Sequence, residues 1–146
     1  MQPKQLLVVE DNDILSKTLE RYLIGQGFKV TTARTVAGAR DLLTNHCFDA
    51  LIVNFYLPDD CGLDLVRPPI ESAIPVVVMT AEDPKLHREQ ACNAGAAAYL
   101  EKPFPLNALK RILKCVLAGH RCLPCCTQVP YLKITPAHTH PKTIAI

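Results

Sequence analysis

The stretch from Ala50 to Gly62, ALIVNFYLPDDCG, constrains the fold more than any other part of the chain. Ala50 to Val53 is an unbroken apolar run, half of it β-branched. Such a run reads as a strand buried on both faces of a parallel sheet. It gives way to a turn-forming cluster, Pro58-Asp59-Asp60-Cys61-Gly62. Between the two stands a lone polar side chain, Asn54, where the strand runs out. In open parallel α/β sheets, ligands and chemistry collect at the carboxyl ends of the strands. Asn54 therefore occupies a position where a functional side chain belongs.

Similar apolar runs recur along the chain with helical patterns between them. Leu6-Leu7-Val8-Val9 predicts a first strand, followed at once by Glu10-Asp11-Asn12-Asp13. From Ile14 to Ile24 the apolar positions 14, 15, 19, 22 and 23 predict one buried helical face, stopped by Gly25 and Gly27. Phe28 to Ala33 reads as a second strand. Thr35 is a capping residue for a helix to about Asn45, with Val36, Ala39, Leu42 and Leu43 facing inward. After the central strand, a third helix is expected from Gly62 to Ala73. Pro68 and Pro69 lie inside it, and an interior proline costs about 3 kcal/mol or more, so a short helix or a break near Arg67 is expected. Pro75 to Met79 reads as a fourth strand closed by Thr80, and Asp83-Pro84 starts a helix that reaches about Asn93 and stops at Gly95. Ala97 to Leu100 is a short fifth strand before Glu101-Lys102-Pro103-Phe104. A last helix from Pro105 to about Ala118 carries Leu106, Leu109, Ile112, Leu113 and Val116 on one face. Strands alternating with helices in this way predict an α/β fold, a doubly wound five-stranded parallel sheet.

The bulk properties narrow the class of protein. A formal charge of +2 argues against nucleic acid or an anionic membrane as direct partner. No apolar run approaches the roughly 20 residues of a membrane span. With no signal-peptide pattern at Met1-Gln2-Pro3-Lys4-Gln5, the expectation is a soluble cytoplasmic protein. The odd total of seven cysteines argues against a disulfide framework, and Cys47, Cys61, Cys92 and Cys115 are expected as reduced, structural thiols. Beyond Gly119 the composition shifts to proline, cysteine and histidine. A boundary is therefore expected there, with residues 1–118 forming the domain and 119–146 an irregular tail. Cys122-Leu123-Pro124-Cys125 supplies half a zinc site, which needs His138 or His140 to complete it.

The expected strand ends carry a coherent set of polar groups. Glu10 and Asp11 offer carboxylates to a hard cation, while the Thr80 hydroxyl and the Lys102 ammonium suit a phosphate-like anion. Together with NFYLPDDCGLDL, VVVMTA and YLEKPF, in this order, they make the chain from Gln5 to Ala118 resemble the receiver domain of two-component response regulators, the CheY-like (βα)5 fold. The resemblance implies that Glu10 and Asp11 hold magnesium together with the Tyr56 carbonyl. It implies that Thr80 and Lys102 contact a phosphoryl group, and that Tyr99 is an aromatic switch. It further implies that the Lys102–Pro103 peptide is cis and orients the lysine.

The departure lies at the centre. In that family the position of Asn54 is an aspartate that accepts the phosphoryl group. A carboxylate is an anionic nucleophile, whereas a neutral carboxamide forms no acyl phosphate. The substitution also removes one negative charge from the metal site, so magnesium is expected to bind weakly at Glu10, Asp11, Asn54 and Tyr56. Asn54 marks either a receiver that signals without phosphorylation or a change in an otherwise ordinary one. Asp49, Asp59 and Asp60 do not sit at the strand end and are not substitute acceptors. The expected role is a stand-alone, non-enzymatic switch module in a phosphorelay. Its partner would be a histidine kinase or a downstream effector, met through the last two helices and the fifth strand, with Lys110, Arg111 and Lys114 at the edge. A homodimer is compatible with the same role. Two rival readings are a small magnesium-dependent phosphatase or hydrolase using Glu10, Asp11 and Lys102, and a thiol or zinc adaptor acting through the tail.

Overall fold

Five strands, each four or five residues long, pair side by side in one fully parallel sheet in the order β2-β1-β3-β4-β5. In this computed structural model, residues 2–66, 74–82 and 84–120 are described. In chain order they form β1 (Gln5–Val9), α1 (Asp13–Gly25), β2 (Lys29–Ala33), α2 (Val36–Asn45) and β3 (Ala50–Asn54). A 3-10 turn (Gly62–Leu65) follows, then β4 (Val76–Thr80), α3 (Pro84–Ala94), β5 (Ala98–Glu101) and α4 (Leu106–Leu117). The expected doubly wound topology is present. The expected break near Arg67, the Asp83 cap and the tail ligands Cys122, Cys125, His138 and His140 lie outside the described residues.

Alternation along each strand divides the core into two layers. Leu7, Val9, Leu51, Val53, Val76, Val78 and Tyr99 face α2, the 3-10 turn and α3, where Val36, Ala39, Leu63, Leu65 and Ala91 cover them. Leu6, Val8, Ala50, Ile52, Val77, Met79 and Leu100 face α1 and α4, meeting Leu19, Leu23, Leu109, Ile112 and Leu113. The period of two side chains per strand repeat sends neighbours to opposite layers, which is why the central runs are apolar without interruption. The Thr35 cap forms as expected, with Gly38 N–H donating to Thr35 Oγ1, and Asn12, which the sequence did not single out, caps α1 by accepting from Leu15 N–H at its Oδ1.

Two expectations need correction. Ile14 is 80% exposed rather than inward, whereas Leu19 and Leu23 are fully buried. At 100° per residue Ile14 lies well round the helix from Leu19 and opposite Leu23, whereas Leu15, in the same first turn, packs against their layer. Cys92 is disulfide-bonded, not a reduced core thiol.

The loop after β3 folds back on the strand end. Gly62 N–H donates to Phe55 O at 2.7 Å, and Tyr56 pairs with Cys61 in an antiparallel bridge. A Cβ at Gly62 would collide with the Asn54 carbonyl oxygen and with Val53 Cγ1. Neither is the free end of a flexible side chain, so nothing nearby can yield cheaply. Asp59, in the same loop, accepts hydrogen bonds from Val36 N–H and Ala37 N–H at 2.9 and 3.0 Å, tying the loop to the start of α2. Those two amides hold its carboxyl below the usual range. The contribution is therefore present above the ordinary aspartate value and lost as pH falls through the lowered one. Gly62→Ala is expected to destabilise the chain by about 2 kcal/mol, as overpacking does, measured as a lower urea midpoint with unchanged slope.

Candidate functional site

The strand order reverses between β1 and β3, and the crevice at such a switch point is where doubly wound sheets bind ligands. Pairing continues past the strand ends: Glu10 N–H donates to Ala33 O, Phe55 N–H to Met79 O, and Lys102 N–H to Thr80 O. Side chains distant in sequence are thereby carried to one rim.

Glu10 lies at the bottom of the site, only 1% exposed. Its Oε1 accepts from the Lys102 ammonium at 2.6 Å, joining the first and last strands. Its Oε2 accepts from Asn12 N–H at 3.2 Å. Burial pushes the Glu10 carboxyl up, and the Lys102 hydrogen bond and charge partly offset that. The folded chain thus holds this proton more tightly than the unfolded one. The carboxyl's contribution to stability declines as pH rises from the ordinary glutamate value through the raised one.

Asn54 bridges the remaining groups. Its Oδ1 accepts from Lys102 Nζ at 3.1 Å. Its Nδ2 donates to the Tyr56 carbonyl at 2.8 Å and faces Glu10 Oε2 at 3.2 Å and Asp11 Oδ1 at 3.4 Å. The orientation of the carboxamide follows from these partners. Turned over, Oδ1 would meet three acceptor groups and Nδ2 would press against an ammonium. The cluster of Glu10, Asp11 and Lys102 carries one net negative charge, and every group around Nδ2 is an oxygen of the kind a hard cation binds.

The structure thus gathers Glu10, Asp11, Asn54, Lys102 and the Tyr56 carbonyl into one cradle. The Lys102–Pro103 peptide is cis. Thr80 ends the adjacent strand and is 2% exposed, but its hydroxyl points elsewhere: it lies 3.0 Å from His87 Nδ1 and accepts from Glu82 N–H at 3.3 Å. Tyr99 is wholly buried in the layer under α2 and α3. His87 was not a candidate from sequence. A histidine in the polar helix α3 carries no motif, and only the packing of α3 against β4 and the β3 loop shows that its ring is 3% exposed.

Comparison with known proteins agrees with this geometry. Residues 6–114 match the family model described as response regulator receiver domain. The protein PetR of Rhodobacter capsulatus is 35% identical over 130 residues, covering 83% of this chain and 55% of PetR. A response regulator structure from Chloroflexus aurantiacus superposes with a TM-score of 0.75 at 33% identity, covering 80% of this chain and 98% of that one. A response regulator from Burkholderia pseudomallei, described with a phosphorylated aspartic acid and a calcium ion, superposes with a TM-score of 0.71 at 28% identity, covering 79% and 69%. The chain spans about half the length of the curated relatives it matches.

Lys102→Met removes the partner of a buried carboxylate. It is expected to cost about 3 kcal/mol in denaturant unfolding and to move the Glu10 carboxyl titration further upward, read by carbon-detected NMR.

Proposed function

The chain belongs to the response regulator receiver domain family, the signalling modules of two-component systems, and from that premise we propose that it is a receiver that takes no phosphoryl group at Asn54 and works by protein contact. One observation carries the reading: the carboxamide of Asn54 sits at the centre of the cradle with both ends engaged. An aspartate there would bring a third carboxylate against Glu10 and Asp11 and would call for a cation between them. The amide satisfies the same oxygens with its own N–H groups. It also offers no anionic oxygen to attack a phosphoryl donor.

The oxygens of Glu10, Asp11 and the Tyr56 carbonyl fit magnesium by their chemistry, and these residues would hold it. Bound there, the ion would supply positive charge beside an incoming anion. The Asn54 Nδ2 group already faces these oxygens, and turning the amide over would set Nδ2 against the Lys102 ammonium, a clash of two donors. Magnesium binding is accordingly weak. Thr80, Lys102 and Tyr99 take the roles of the hydroxyl, the ammonium and the aromatic that respond to the site.

The output is contact with a separate protein, a histidine kinase or a downstream effector. The surface of α3, β5 and α4 serves it, where Arg111 and Lys114 are exposed and Lys110 partly so. The receiver unit ends near Gly119, just past α4. No helix of the described residues is long and apolar enough to cross a membrane.

Incubation with acetyl phosphate and magnesium, read by intact mass, tests the reading. The expected result is no added mass for the chain and one phosphoryl unit for Asn54→Asp; a mass gain in the unaltered chain would overturn it. A calorimetric magnesium titration is expected to show Asn54→Asp binding at least about tenfold tighter, because affinity follows the charge of the ligand set.

A further inference from the structure

Among the described residues, His87 is a buried polar group beside the cradle that the receiver reading does not use. Its ring stacks on Phe55 with centroids 4.0 Å apart and planes 17° apart, and meets the edge of Tyr56 at 5.2 Å. Both ring nitrogens are engaged. Nδ1 lies 3.0 Å from Thr80 Oγ1, and Nε2 lies 3.0 Å from the Tyr56 hydroxyl. Thr80 and Tyr56 differ in one respect that matters: Thr80 is buried beside the cradle, while Tyr56 is 53% exposed.

A neutral imidazole has one donor and one acceptor nitrogen, so its two contacts are not independent. If Nδ1 accepts from Thr80, Nε2–H donates to the Tyr56 oxygen, and the phenolic proton points outward. If Tyr56 donates to Nε2, Nδ1–H donates to Thr80, whose own proton then turns to the Glu82 carbonyl 3.4 Å away. Each group keeps the same number of protons in both arrangements. What the phenolic proton does at the surface therefore decides which way the Thr80 hydroxyl faces.

We propose that His87 is a positioning residue that holds the Thr80 hydroxyl turned toward α3 and relays to it the hydrogen bonding of the exposed Tyr56 phenol. It rests on the reading of Thr80 as the hydroxyl that responds to the site, and it deepens that reading by naming an input route needing no phosphoryl group. A protein partner offering an acceptor, such as a carboxylate, to the Tyr56 O–H selects the arrangement in which Thr80 donates to His87. A partner that leaves the phenol free to donate inward selects the other.

The test uses the full chain, isotope-labelled, at about pH 8, above the ordinary histidine range. Long-range nitrogen spectra report the His87 tautomer, while the Thr80 methyl and Glu82 amide signals report the hydroxyl. Tyr56→Phe removes an exposed hydroxyl and leaves the imidazole in place. The expected result is a shift of the His87 Nε2 signal and of both the Thr80 methyl and Glu82 amide signals. In a His87→Phe background, where the ring can still stack on Phe55 but has no nitrogens, the same Tyr56→Phe change is expected to leave Thr80 and Glu82 unmoved. A space-filling role for His87 predicts no such dependence. Unchanged Thr80 and Glu82 signals in Tyr56→Phe overturn the relay, and so does an equal change with and without the imidazole. If His87→Phe does not fold, Tyr56→Phe alone decides by the same signals. Failure of the relay is distinct from failure of the receiver reading, which the phosphoryl mass measurement judges separately.

Discussion

The buried pair of Glu10 and Lys102 is the interaction on which the rest of the site depends. A carboxylate that is 1% exposed is costly to bury, and the ammonium 2.6 Å away is what makes it tolerable. The two residues lie 92 positions apart in sequence, and their contact ties the end of β1 to the segment after β5. Such a pair adds little net stability compared with an apolar core of the same volume. Its effect is on geometry: it fixes where the ammonium stands, and hence where the free acceptor of Asn54 must point.

Asn54 then reads as a consequence of that geometry. Lys102 takes Oδ1, so Nδ2 is left facing Glu10, Asp11 and the Tyr56 carbonyl. An aspartate would turn the same arrangement into a cluster of like charges, stable only with a cation or a proton. With asparagine the polar groups satisfy one another inside the protein. That mutual satisfaction is what the proposed reading of Asn54 rests on.

Much of this was legible in the sequence. Strand ends announce themselves when an apolar run stops at a polar side chain: Glu10, Asn54 and Thr80 do so, and Lys102 follows one residue after Glu101, where the fifth run stops. Their convergence follows from the alternation of strands and helices, because a parallel sheet brings all its carboxyl ends to one rim. What periodicity could not show was contact between elements. Ile14 was counted on the apolar face of α1 because it is apolar, but it points away from Leu19 and Leu23, and Leu15 one residue later takes the inward position. Asp59 looked like a spare carboxylate, because nothing in its neighbourhood shows that it caps a helix 22 residues earlier. His87 was invisible for the same reason: its partners are set by how α3 crosses β4 and the loop after β3.

That loop joins these features into one device. Its closure requires glycine at position 62, since a side chain there would strike the backbone of Asn54. The closure sets the Tyr56 carbonyl against the Asn54 amide on one side and aims the Tyr56 hydroxyl at His87 on the other. A single residue therefore touches both the cradle and the Thr80–His87 pair, with its main chain in the first and its side chain in the second. Asp59 anchors the same loop to α2, so displacement of the loop would disturb the amide, the phenol and the helix cap together. Energetic coupling of this kind would need no long pathway, because the connecting segment is a hydrogen-bonded turn of a few residues. On the proposed reading, in which Asn54 takes no phosphoryl group, that turn would carry a change at the surface to the strand ends.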